Sequence, residues 1–110
     1  MVRVTMYEPY GKGRIRLGFD NGMEFSAYVG EAGRAGITLD AEVAEEELDR
    51  LVGEIGMRAR RRAMHLMERM DRTEHQLREK LAKGDYPREC VDDAVAYLYR
   101  FHYLDDFRYS

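Results

Sequence analysis

A 110-residue chain that is 45% apolar and 35% charged is too apolar to be disordered along its length, and has room for one ordinary domain or two very small subdomains that lean on each other. A net charge of −3 argues against a protein built mainly to coat nucleic acid, and the lack of any run of about 18 apolar residues or of a signal-like start predicts a cytoplasmic chain without membrane contact. Charge is uneven, with 6 basic and 11 acidic side chains in residues 1–56 against 12 and 10 in residues 57–110, which points to a protein partner or to a small basic patch on an acidic body.

Val2, Val4 and Met6 alternate with Arg3 and Thr5, the period of a strand. Gly11-Lys12-Gly13 follows as a turn; no helix start and no Lys-Ser/Thr pair comes after it, so it reads as a loop and not a phosphate cradle. Ile15, Leu17 and Phe19 alternate again, Asp20-Asn21-Gly22 suits a tight hairpin, and Met23, Phe25 and Ala27 or Tyr28 begin the return strand. Three short strands of this kind make a small antiparallel sheet with one apolar face, which a helix must cover.

Gly30 to Gly36 reads as a glycine-bearing connection, and Asp40 as the N-cap of a helix over residues 41–55. Glu42, Glu45, Glu46 and Glu47 suit the positive end of that helix, and this carboxylate run is a solvated face, not a metal or substrate site. Ala44, Leu48, Leu51, Val52 and Ile55 share the face that covers the sheet.

Gly53 and Gly56 predict a hinge near Gly56 and a separate helix over residues 57–70. On its wheel Ala59, Ala63, Leu66, Met67 and Met70 form a core arc, while Arg58, Arg62, His65 and Arg69 form a neighbouring stripe with no acidic side chain in it. Cations in such a row commonly lie over a solvated face; the functional alternative is an acidic partner surface or phosphate, which makes these four the candidate partner-binding residues. Arg60 and Arg61 point elsewhere and add solubility.

Thr73 caps the next helix with Gln76 as its capping-box partner, and Glu74 with Arg78 and Glu79 with Lys83 are spaced for ion pairs. Leu77 and Leu81 are its apolar anchors. Gly84 ends it, and Asp85-Tyr86-Pro87 turns the chain into a helix whose apolar face is Val91, Ala94, Val95 and Leu98, widened by Cys90, Tyr97 and Phe101, with Asp92, Asp93, Ala96 and Arg100 opposite. Cys90 is structural: as the single cysteine it forms no internal disulfide, and with three scattered histidines it builds no metal site. Asp105 reads as the cap of a further helix starting at Asp106. No nucleophile–base pair, metal constellation or cofactor loop is present in the sequence, so neither catalysis nor a cofactor is expected.

The ordered set Arg60-Arg61-Arg62-Ala63, Leu66, Glu68-Arg69, Thr73-Glu74, Leu77, Lys80-Leu81, Gly84, Tyr86-Pro87, Val91, Leu98 and Leu104-Asp105-Asp106-Phe107-Arg108-Tyr109 resembles the first helical repeat of the RecX family of regulatory proteins. The first half is similar to that family's variable leader, more weakly. The resemblance implies an α+β chain: an N-terminal β-hairpin and helix subdomain (1–56), a three-helix repeat (57–104) and the start of a truncated second repeat (105–110). It implies a bacterial modulator of the RecA recombinase that lodges in the RecA filament on single-stranded DNA and inhibits its growth, its ATPase and its recombination and SOS functions, with no catalytic residues. Family members usually carry further repeats, so a fragment or a natural truncation is expected, with self-association through faces the missing repeat should cover.

The competing expectation is a small nucleic-acid-binding module in which the turn at Gly84 to Pro87 makes a helix-turn-helix. Glu89, Asp92 and Asp93 on the would-be recognition helix argue against it, whereas a weak contact of the arginine stripe with DNA stays open.

Overall fold

The structure, a computed structural model, describes residues 1–104. It is an α+β arrangement that divides into two compact units, one ending at Glu54 and the other beginning at Ile55.

In the first unit, period-2 alternation produces strands β1 (Val2–Pro9), β2 (Arg14–Phe19) and β3 (Glu24–Tyr28). The Asp20-Asn21-Gly22 turn closes through the Gly22 N–H to the Phe19 carbonyl at 3.0 Å, with Gly22 at φ +92°. Leu17 and Phe25 face each other in register and are fully buried, each contributing roughly 1.5–3 kcal/mol by leaving water. A β-bulge in β1 between Val4 and Met6 lies beside Gly18, where any Cβ would stand 3.0 Å from that of Met6. Glycine is therefore required for the strands to approach there.

The sheet is larger than expected. A fourth strand, β4 (Glu42–Val43), pairs antiparallel with β1 in the order β3-β2-β1-β4. Asp40, expected as a helix cap, sits instead at φ +65° and donates its N–H to the Val4 carbonyl at 3.0 Å, while the Val4 N–H donates to the Ala41 carbonyl at 2.9 Å, bringing the chain into that edge pairing. A short helix α1 (Val29–Arg34) also replaces the expected loop, packing against β3 and burying Ala32.

Helix α2 (Glu45–Arg69) starts four residues later than expected, with the Ala44 carbonyl accepting from the Glu47 and Leu48 N–H groups. It keeps the acidic first turn of Glu45, Glu46 and Glu47, which favours the positive end of the dipole. Leu48 and Leu51 are buried, as is Ile55 in the second unit. The hinge expected near Gly56 is absent, for α2 runs unbroken through Gly53 and Gly56. Gly56 is buried beside Cys90, with its α2 neighbours Ile55 and Ala59 in the core, so burial of this stretch outweighs the roughly 1 kcal/mol a helical glycine costs.

The second unit gathers Ala59, Ala63, Leu66 and Met67 of α2, Leu77 and Leu81 of α3 (Glu74–Ala82), and Cys90, Ala94, Val95 and Leu98 of α4 (Arg88–Arg100) into its core. Met70 and Phe101, expected to extend it, are 58% and 53% exposed because each lies past the end of its helix. Thr73 and Gln76 form the expected reciprocal capping box, with bonds of 3.0 and 3.1 Å. The expected Asp105 cap lies outside the described residues.

The turn between α3 and α4 is fitted to one residue type. A Cβ on Gly84 would fall 2.5 Å from the Tyr86 ring, a distance no side chain tolerates without movement. Gly84→Ala is expected to destabilise the protein by about 1–3 kcal/mol, measured by urea unfolding, and adding Tyr86→Ala should restore much of the loss.

Candidate functional site

Within the second unit, the last four turns of α2 carry Arg58, Arg60, Arg61, Arg62 and Arg69, and the fold sorts them into tethered and outward-facing sets. Arg60, expected only to add solubility, is a structural tether. Its Nε and Nη2 donate to both Asp93 carboxylate oxygens at 2.7 and 2.9 Å, and its guanidinium lies 4.8 Å from the Tyr97 ring centre. The bond to Arg60 is the main cause that holds the Asp93 carboxyl below the usual carboxylate range.

A second tether joins α3 to α4. The Tyr99 hydroxyl donates to Glu74 at 2.7 Å, and Arg78 donates to Glu74 and to Asp92, both at 2.8 Å. The Tyr99 bond, then the Arg78 bond, lowers the Glu74 pKa. The predicted Glu74–Arg78 pair is thus present inside a network, whereas Glu79 pairs with His75 on the preceding turn. The Cys90 thiol is pushed up to about 12, first by burial and then by the charges of Glu89 and Asp93, which suits a packing residue with no thiolate chemistry.

The four candidate residues do not share one environment. Arg62, His65 and Arg69 are solvent-exposed on α2 and, among the described residues, make no hydrogen bond or ion pair. Arg62 and Arg69 stand two turns apart, about 10 Å along the axis at 1.5 Å per residue. Arg58 is half-buried, with its guanidinium 5.6 Å from the Tyr86 ring centre, so it also braces the α3–α4 turn. Exposed Arg61 adds a further outward charge. The outward face of α4 presents exposed Glu89 and Asp92, a poor surface for approaching phosphates.

Among the described residues no His, Cys, Asp and Glu group is arranged to hold a metal ion, and no helix is long and apolar enough to cross a membrane. What the site offers is a row of outward cations that makes no ion pair among the described residues.

The family model described as RecX, first three-helix domain, matches residues 59–98, which carry the tethers, the turn and most of the cationic row. A regulatory protein RecX of Clostridium beijerinckii is 26% identical over the whole chain and 53% of its own length, and one of Vibrio cholerae is 39% identical over 46% of this chain and 34% of its own length. The similarity to RecX proteins thus runs the length of the chain, and residues 59–98 match the first three-helix domain of RecX. A solved structure titled regulatory protein RecX covers 99% of the chain and 55% of its own at a TM-score of 0.52 and 20% identity, a likeness of fold. The chain therefore spans about half the length of the RecX relatives it matches end to end, and those relatives are named as regulatory proteins.

Arg60 and Asp93 provide the test of the tether. A double-mutant cycle with Arg60→Ala and Asp93→Ala is expected to show a coupling of about 0.5–1 kcal/mol, modest because both groups remain partly in solvent. Because the Asp93 and Glu74 carboxyls are held low, their stabilisation is complete above the ordinary carboxylate range and is lost as pH falls through the lowered pKa values. Asp93→Asn should flatten that acid limb in a series of thermal melts.

Proposed function

We propose that this chain is a non-catalytic regulator that binds RecA in the cytoplasm, on the RecA filament assembled on single-stranded DNA, and inhibits filament growth, ATPase and recombinase activity. Similarity to proteins named regulatory protein RecX supports this, and the observation that carries the contact is the exposed Arg62, His65 and Arg69 row, left without carboxylate partners among the described residues while Arg60 and Arg78 are neutralised internally. Such a row complements an acidic protein surface, and charges that are already outward need no internal bond broken before docking. Arg58 contributes at the edge, through Tyr86. On this reading residues 1–56 carry the β-sheet and helix subdomain and residues 57–104 the first three-helix repeat, with further repeats extending the reach along the filament.

The test is the ATPase of RecA on single-stranded DNA, titrated with this chain and with a version extended by further helical repeats. Inhibition by at least the extended version is expected, and no inhibition by either overturns the proposal. In the inhibiting version Arg62→Ala with Arg69→Ala should raise the half-inhibitory concentration at least about tenfold, the loss of roughly 1.4 kcal/mol, with unchanged thermal unfolding. Arg58 is left in place so that Tyr86 keeps its partner.

A further inference from the structure

The outward side of α2 is not of one sign. Over its last three turns the exposed charges are Arg61, Arg62, Glu68 and Arg69, with exposed His65 among them. At 100° per residue all five fall within an arc of about 120°, spread over about 12 Å of helix. Glu68 is thus a carboxylate set into the cationic row, at the edge next to Arg61.

Local structure gives no reason for a carboxylate at this position. Glu68 is the penultimate residue of α2, at the negative end of the helix dipole, where acidic side chains are disfavoured and basic ones stabilise. Among the described residues it makes no hydrogen bond or ion pair. Of the residues three and four positions away, Met64, His65, Asp71 and Arg72, only Arg72 is a permanent cation, and its Nε–H donates to the Leu66 carbonyl at 3.3 Å. Elsewhere in this unit carboxylates are held by arginines, Asp93 by Arg60 and both Glu74 and Asp92 by Arg78.

We infer that Glu68 is the specificity-determining residue of the outward row: it fits the row to a protein surface of mixed sign, carboxylates with a basic side chain among them, and turns away the phosphate chain of a nucleic acid. Arginines alone accept either partner, because carboxylate and phosphate both meet a guanidinium well. A protein surface can set carboxylates opposite Arg61, Arg62 and Arg69 and one lysine or arginine opposite Glu68. A phosphate chain repeats one sign at every nucleotide, so wherever it lies along the row a phosphate faces the carboxylate. Like charge placed against the wrong partner is a device by which an interface rejects it. The inference rests on the proposed role of this row as the contact surface and adds what the docked surface must carry.

The test compares the parent with Glu68→Gln, Glu68→Lys and Asp49→Lys, the last making the same change of charge at an exposed position in the first half of α2. The version of the chain that inhibits RecA is titrated against RecA free of DNA, and this chain against a fluorescent oligothymidylate of about 15 nucleotides at low salt. Glu68→Lys should bind RecA at least about fivefold more weakly than the parent, although it is the more basic chain. Against the oligonucleotide the order reverses: Glu68→Lys should bind at least about tenfold more tightly, with a log–log salt slope steeper by about 0.7 for the added phosphate contact. Glu68→Gln should fall between the two on both probes, and Asp49→Lys should stay close to the parent. Thermal unfolding of both Glu68 variants should match or exceed that of the parent, since the dipole no longer opposes the side chain. Tighter RecA binding by Glu68→Lys, no gain in its oligonucleotide binding, an equal gain in Asp49→Lys, or a clear loss of stability in Glu68→Gln each overturns the inference. If no version binds RecA, the proposed docking on RecA fails, and the oligonucleotide comparison decides the role of Glu68 by itself.

Discussion

The bidentate bond between Arg60 and Asp93, roofed by Tyr97, is the constraint on which the helical unit depends. It fixes the rotation of α2 against α4: with Arg60 pointed at α4, the neighbouring Ala59 and Ala63 are turned into the core, and Arg62, His65 and Arg69 are turned out. A carboxylate that grips a guanidinium with two parallel bonds resists rotation in a way a single contact does not. Its value lies in orientation more than in energy, since both partners remain partly hydrated.

The elements that were legible in the sequence are those whose signal is local. The alternation of Ile15, Leu17 and Phe19, the Asp20-Asn21-Gly22 turn, and the reciprocal cap of Thr73 and Gln76 each announce themselves within a few residues. The elements that were missed are made by partners far along the chain. Two residues of β4 have no period to detect, and they become a strand because β1 offers them an edge. Helix α1 contains two glycines in six residues and forms where Ala32 and Ile37 are buried.

Glycine misled in the opposite direction at the middle of α2. Gly53 and Gly56 weaken a helix taken alone, yet α2 runs unbroken through both, with Ile55, Gly56 and Ala59 buried on either side of the expected break. At the site, the stripe was legible from 3.6-residue periodicity, but the separate role of Arg58 and the tethering of Arg60 were not. Their partners, Tyr86 and Asp93, lie about thirty residues away, and no spacing rule on one helix reaches them. The one available hint was Asp93 itself, a carboxylate on the polar side of an otherwise apolar helix.

Which charges a protein neutralises internally decides which are left to meet a partner. In the helical unit, Arg60 and Arg78 are matched by Asp93, Glu74 and Asp92, whereas Arg62 and Arg69 on α2 have no ion pair among the described residues. In the sheet unit, Arg16 is likewise matched by Glu24. The row left outward on α2 suits a carboxylate-bearing protein surface, where complementarity of charge sets register.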